Sequence, residues 1–245
     1  MRRRELLGSM LALAAATTLS GCWRPTEELR YRLTVEVETP QGLRTGSSVI
    51  EVRGVKNPDW VTPEGRGTRG SYRGEAVAVD LPGGRTLFAL LKGDEGSQSD
   101  ALNYPWLAFR DRLKNSSDFL DELRRLRQLQ GEVAELPATR IVDHYENGDL
   151  IHTETPSYPL FVTFRDIRDP RSVERVDPNA LDKNFGSGIR LRRITVQATD
   201  DKLTTGIGKR LKWLPNVYKI LHGQDFKPDG IPVGDFKGLF STELK

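Results

Sequence analysis

From Leu29 to Glu38 the chain alternates without a break, with Leu29, Tyr31, Leu33, Val35 and Val37 on one parity and Arg30, Arg32, Thr34, Glu36 and Glu38 on the other. Successive side chains of a strand point to opposite faces, so this run has one apolar face and one charged face. A strand wet on one side belongs to an antiparallel sheet, because parallel strands are normally covered on both faces. Pro40-Gln41-Gly42 turns the chain, and Thr45 to Arg53 reads as the returning strand. Glu75 to Leu81 and Thr86 to Leu91 flank Pro82-Gly83-Gly84; their nearly continuous apolar runs predict a hairpin of central strands covered on both faces. Asn147-Gly148 is the turn pair of a two-residue hairpin between Arg140–Tyr145 and Asp149–Thr153. Tyr158 to Arg165 is a further strand. In Ile189 to Thr199 the apolar parity switches from odd (Ile189, Leu191) to even (Ile194, Val196, Ala198), which a one-residue bulge at Arg192-Arg193 would restore to one face.

Helical signals gather in the middle of the chain. Pro105 suits a first helical turn, with Trp106, Phe109 and Leu113 on one face. After Asn115-Ser116-Ser117, the residues Phe119, Leu120, Leu123, Leu126 and Leu129 form a second amphipathic face that ends at Gly131. Asp177-Pro178 to Phe185 reads as a short helix stopped by Gly186, and Thr204 to Leu214 as one or two turns. The segment 54–70 is rich in Gly and Pro with Trp60 as its large apolar anchor, and reads as a long loop.

The first 22 residues carry a different message. Arg2 to Arg4 precede an Ala- and Leu-rich run, which closes on Leu19-Ser20-Gly21-Cys22. A basic start, a short apolar centre and small residues at the end describe a secretory signal peptide. The run is too short and too diluted by Gly8, Ser9, Thr17 and Thr18 for a bilayer core, which needs about 20 mostly apolar residues. Leu19-Ser20-Gly21-Cys22 resembles the lipobox of bacterial lipoproteins, and Cys22 is the only cysteine in the chain. The resemblance implies cleavage after Gly21, acylation of Cys22 and stable membrane anchorage by more than one acyl chain. Trp23 stands where an aspartate would signal inner-membrane retention in the enterobacterial pattern, which points to the outer membrane. Export through the Sec or the twin-arginine route is left open by Arg3-Arg4-Glu5-Leu6-Leu7.

With Cys22 acylated, the body has no thiol for a disulfide, a nucleophile or a metal. A mean hydropathy of −0.50 leaves no room for a further apolar span. The formal charge of +3 includes the three signal arginines, so the body is close to neutral and gives no footprint for nucleic acid.

Three segments, Glu75 to Leu91, Leu160 to Asp166 and Thr204 to Leu214, resemble an uncharacterised group of proteobacterial lipoproteins. The resemblance implies no activity, cofactor or catalytic residue.

The residues themselves name no catalytic group. In the 147–148 hairpin His144 falls opposite Ile151 and His152 opposite Asp143, so the two histidines face opposite sides and cannot share a metal. Asp143 and His152 can pair across the strands, and an exposed cross-strand ion pair is the expected reading over a catalytic or pH-sensing role. Gly186-Ser187-Gly188 lacks the spacing of a nucleophile elbow, and no Walker or EF-hand sequence occurs. Asp166, Asp169, Glu174 and Asp177 alternate with Arg165, Arg168, Arg171 and Arg175 as a self-neutralised surface. Between Arg190 and Lys227 basic residues outnumber acidic ones. Arg192, Arg193, Lys209, Arg210 and Lys212 are therefore candidates for an anionic surface, either lipid head groups or an acidic partner.

The expected fold is α+β, mainly antiparallel sheet with a helical pair from the middle of the chain packed on one face. Residues 1–21 are the signal, 22–28 an acylated tether, 29–214 one α+β domain, and 215–245 a wrapping or flexible tail. The expected role is that of a lipid-anchored cell-envelope protein facing the periplasm, a non-enzymatic structural or interaction module without metal or cofactor. The alternative is an envelope hydrolase or small-ligand-binding lipoprotein using a cleft near the 54–70 loop; a transporter's solute-binding component would need more chain for two lobes. An interaction module should present a contiguous exposed apolar or basic patch; an enzyme should present a pocket with convergent polar groups.

Overall fold

The computed structural model describes the chain apart from residues 1–24, 58–66, 94–99, 115, 117, 222–230, 232–235 and 243–245. In chain order the strands are β1 (Thr26–Thr39), β2 (Gly42–Lys56), β3 (Thr68–Arg73), β4 (Val77–Asp80), β5 (Thr86–Gly93), β6 (Val133–Glu135), β7 (Thr139–Glu146), β8 (Asp149–Pro156), β9 (Pro159–Phe164), β10 (Val173–Val176) and β11 (Arg190–Ala198). They form a five-stranded sheet in the order β3-β2-β1-β11-β6, a four-stranded sheet in the order β10-β9-β5-β4, and a separate ribbon β7-β8. Every pairing is antiparallel. The fold is α+β: mostly antiparallel sheet with a few short helices.

β1 is the centre of the larger sheet, and its alternation becomes its two faces. Leu29, Tyr31, Leu33, Val35 and Val37 are buried, whereas the even-numbered residues Arg30 to Glu38 are only partly covered. The inner face meets Val77, Val79, Leu87, Ala89 and Phe161 of the second sheet in one continuous core. The sheets approach closely at Gly46, where a Cβ would overlap the Ala78 carbonyl, so no larger residue fits without moving backbone. In the pairing of β11 with β1, Glu36 faces Arg193 and Val37 faces Leu191. Arg192 is the extra residue, and the bulge lies where the change of parity places it.

The second sheet is covered on both sides. Its other face carries Phe88, Leu90, Leu160, Val162 and Phe164, which pack against Leu211, Trp213, Leu214, Val217, Phe236 and Phe240 from the C-terminal part of the chain. This explains why every residue of β9 is buried and why β5 is buried from Thr86 to Leu91. β4, also read as central, instead ends the sheet; its Val77 and Val79 are covered by the larger sheet, and Ala78 packs against the C-terminal cluster.

The short helices are α1 (Tyr104–Ala108), α2 (Phe119–Gln128), α3 (Asp182–Phe185), α4 (Ile207–Arg210), α5 (Val217–Leu221) and α6 (Phe236–Phe240). Asp118 caps α2 by accepting from the Asp121 N–H at 2.9 Å. Leu120, Leu123 and Leu126 enter the core, and Leu120 and Leu123 lie over Gly54 of β2. Trp106 stacks on Phe119 with ring centroids 5.0 Å apart and donates its indole N–H to Glu122 at 2.5 Å, tying α1 to α2.

Two expectations need correction. The helix read from Pro178 starts only at Asp182, because the Asp177 side chain accepts from the Asn179 N–H and holds a turn there. The loop read over 54–70 is shorter at both ends, with β2 running to Lys56 and β3 beginning at Thr68. β3 escaped the pattern because it is an edge strand, Thr-Arg-Gly-Ser-Tyr-Arg, whose one large inward residue is Tyr72. Residues 58–66, including Trp60, lie outside the described residues.

Candidate interaction surface

Among the described residues, the ribbon β7-β8 is paired along its whole length with most of its side chains exposed. Its turn has Asn147 at φ 51° and Gly148 at φ 92°. Two successive positive φ values make the primed turn that matches strand twist, and Asn-Gly is the sequence that tolerates it. The register sets Ile141 against Glu154, Asp143 against His152 and Tyr145 against Leu150 on one face. Val142 against Thr153 and His144 against Ile151 occupy the other.

The described residues cover these faces only at the base, where Arg140, Val142 and Thr155 are partly buried. Tyr145 is 78% exposed and Ile141 51%, and Leu150 and Ile151 are also exposed. An isolated two-stranded ribbon is marginally stable in water and gains no core from leaving four large apolar side chains outside. Its charges are uneven too, with Asp143, Glu146, Asp149 and Glu154 against the single cation Arg140. A ribbon with exposed apolar side chains and an acidic balance suits a protein partner with a basic, partly apolar surface.

Two clefts flank the base of the ribbon. One, of about 300 Å³, lies between Thr139 and Pro156 of the ribbon and Tyr158, Leu160 and Pro178 of the body. The other, of about 360 Å³, is lined by Trp106, Leu107, Leu113 and Ile141, with Arg110, Lys114 and Arg140 beside them. Each is a shallow apolar depression continuous with the ribbon, of a size to accept a side chain or two from a docked segment.

The histidines sit as their register implies. His152 Nδ1 lies 2.7 Å from Asp143 Oδ1 with both side chains exposed, and His144 is on the opposite face. His222 lies outside the described residues. Among those residues no group of three or more His, Cys, Asp or Glu could hold a metal, and no helix is long and apolar enough to cross a membrane.

The five candidate basic residues do not form one free patch. Arg193 makes a two-pronged pair with Glu36 at 2.9 and 3.0 Å, and Arg192 lies 3.7 Å from the same carboxylate. Arg210 is held by Asp80, whose carboxyl is drawn below its usual range by the Arg210 hydrogen bond and, against the opposing effect of burial, by that from Thr86. Lys209 and Lys212 are exposed. Leu19, Ser20, Gly21 and Cys22 lie outside the described residues.

Two acids, partly buried Asp100 and buried Glu75, brace the fold. Asp100 accepts from the Leu102 N–H at 2.9 Å and from Asn103 Nδ2 at 3.2 Å, closing the turn before α1, while burial pushes its carboxyl up. Glu75 accepts from the Ile207 N–H at 2.8 Å, joining the start of β4 to α4. Compared with protein-family models, with curated proteins and with solved structures, the chain matches none.

The sequence reading found the ribbon, its register and the Asp143–His152 pair, but missed that Ile141, Tyr145, Leu150 and Ile151 are bare. A signal was present. The neighbours Ile141-Val142 and Leu150-Ile151 put one apolar side chain on each face, so neither face has the clean alternation of a strand seated on a core.

Proposed function

We propose that this chain is a lipid-anchored protein of the cell envelope, acylated at Cys22 after cleavage behind Gly21, and that it faces the periplasm from the outer membrane. It belongs among the bacterial lipoproteins whose signal it resembles. Its body is a non-enzymatic interaction module that docks an envelope protein through the β7-β8 ribbon. In this reading α1 and α2 act as a helical pair packed on the inner face of the five-stranded sheet, α2 against β1 and β2 and α1 against β11, so that the ribbon rises from a fixed base. The observation that carries it is the ribbon itself: sixteen paired residues with Tyr145, Ile141, Leu150 and Ile151 exposed on a body that does not need them for its core.

Two experiments test the two parts. Cys22→Ser should abolish fatty-acid labelling and release the protein from membranes; a variant still labelled and membrane-bound ends the lipoprotein reading. For docking, a photo-crosslinking amino acid at position 145 should give one dominant protein adduct in the native envelope, and Ile141→Ser with Leu150→Ser should remove it. An adduct that persists in the double variant, or none at all, ends the docking reading.

A further inference from the structure

We propose that the end of the five-stranded sheet where β1 begins rests on anionic lipid head groups and sets how the anchored molecule stands on its membrane. The inference relies on acylation of Cys22. β1 starts at Thr26, four residues after Cys22, and four residues span at most about 14 Å even when fully extended. Whatever surrounds Thr26 is therefore held close to the bilayer.

The register identifies those surroundings. Thr26 pairs with Val55, and Val55 with Arg69 on the next strand. With neighbouring strands about 4.8 Å apart, the Arg69 backbone is roughly 10 Å from Thr26. Lys56 is closer still, since its backbone N–H donates to the Pro25 carbonyl at 3.0 Å. Arg127 of α2 reaches the same end and lines a cleft with Glu28 and Leu29.

Lys56, Arg69 and Arg127 are exposed, and none of them forms an ion pair among the described residues. Of the acids at this end, Glu28 is engaged with Arg53 at 3.4 Å and Glu27 with Arg124 at 3.0 Å, while Asp200, which lines the same cleft as Arg127, is exposed. Three exposed cations thus outnumber the one acid outside these pairs where the tether is shortest. A basic side chain near an anionic leaflet gains a contact that fades beyond the Debye length of about 8 Å. Arg192 and Arg193 are poorly placed by comparison: Glu36, which holds both, is ten residues up β1 from Thr26, about 33 Å at the rise of a strand.

Lysine labelling of the full acylated protein distinguishes these surfaces. The protein is reconstituted in vesicles of phosphatidylcholine alone or of phosphatidylcholine with phosphatidylglycerol, and each lysine's reaction with an amine-acylating reagent is followed by peptide mass spectrometry. Lys56 should react several-fold more slowly in the anionic vesicles, with Lys209 and Lys212 unchanged, and Arg69→Glu with Arg127→Glu should remove the difference. Equal reactivity of Lys56 in both vesicles, or slowing of Lys209 and Lys212 in its place, overturns the inference. Intact mass reads acylation separately. A chain without acyl groups removes the anchor, whereas an acylated chain with Lys56 unprotected removes only this orientation.

Discussion

On the outer face of the five-stranded sheet, Glu51 is held between two arginines of neighbouring strands. Its Oε2 accepts from Arg30 at 3.0 Å and its Oε1 from Arg73 at 2.7 Å, with the Glu51 side chain only 5% exposed. Burial alone would raise its carboxyl, but the two hydrogen bonds and the two positive charges outweigh it and hold the pKa below its ordinary value. A group depressed on folding stabilises the native state above its unfolded pKa, and that contribution is lost as the pH falls through the folded pKa. Glu51→Gln should therefore cost about 1–2 kcal/mol near neutrality. The gap from the parent should narrow as the pH falls below about 4. Chemical denaturation of both proteins across that range checks it; a gap independent of pH would assign the loss to packing rather than charge. Residue-scale pairings of this kind were not legible in the sequence. Arg193 finds Glu36 across more than 150 positions, and a basic run read along the chain cannot show which of its members are already spent on distant acids. The bulge at Arg192 was legible, because a change of parity is a local property.

Among the elements, β7-β8 shows how far local pattern reaches. Asn147-Gly148 specifies the turn and the turn specifies the register, so local sequence alone sets Asp143 opposite His152. Exposure is a property of what lies around a strand, and strand patterns do not carry it. Because Tyr145 and Leu150 contribute little to the core, Tyr145→Ser with Leu150→Ser should leave stability within about 0.5 kcal/mol of the parent. The turn itself should be sensitive. Gly148 sits at φ 92°, where a Cβ is strained although the space around it is open, so Gly148→Ala should loosen the ribbon by about 1 kcal/mol while the body stays intact. Amide exchange measured on the ribbon and on β1 separates the two effects. Faster exchange confined to 139–156 is expected, and equal acceleration in β1 would mean that the ribbon is part of the body's cooperative unit.

At the scale of the whole molecule, β5 and β9 join two cores. Leu87, Ala89 and Phe161 face β1, while Phe88, Val162 and Phe164 face the C-terminal layer. The near-continuous apolar run of β5 announced that both its faces are covered, whereas β9 was legible only as a strand. What covers the second face was hidden, because Trp213, Phe236 and Phe240 come from short pieces separated by glycine and proline that show no helical or strand period long enough to read. In the structure these rings close over Phe88 and Phe164, with Phe88 and Phe240 centroids 5.6 Å apart and Phe164 and Trp213 5.4 Å apart. Trp213 also donates its indole N–H to the Ile167 carbonyl at 2.8 Å, which fixes the layer in place. Phe240 is fully buried, so Phe240→Ala should cost about 3–5 kcal/mol, the usual price of deleting a core aromatic ring. Two strands shared by both cores also imply that the layer cannot melt alone without uncovering one side of β5. With the other three tryptophans replaced by phenylalanine so that fluorescence reports Trp213, thermal unfolding of Phe240→Ala should therefore show a single transition at lower temperature, with that fluorescence and the far-ultraviolet signal of the sheets lost together. If the tryptophan environment changed well before the sheet signal, the C-terminal layer would be an independent flap, and the sheet pair would have to stand on the core beneath β1 alone.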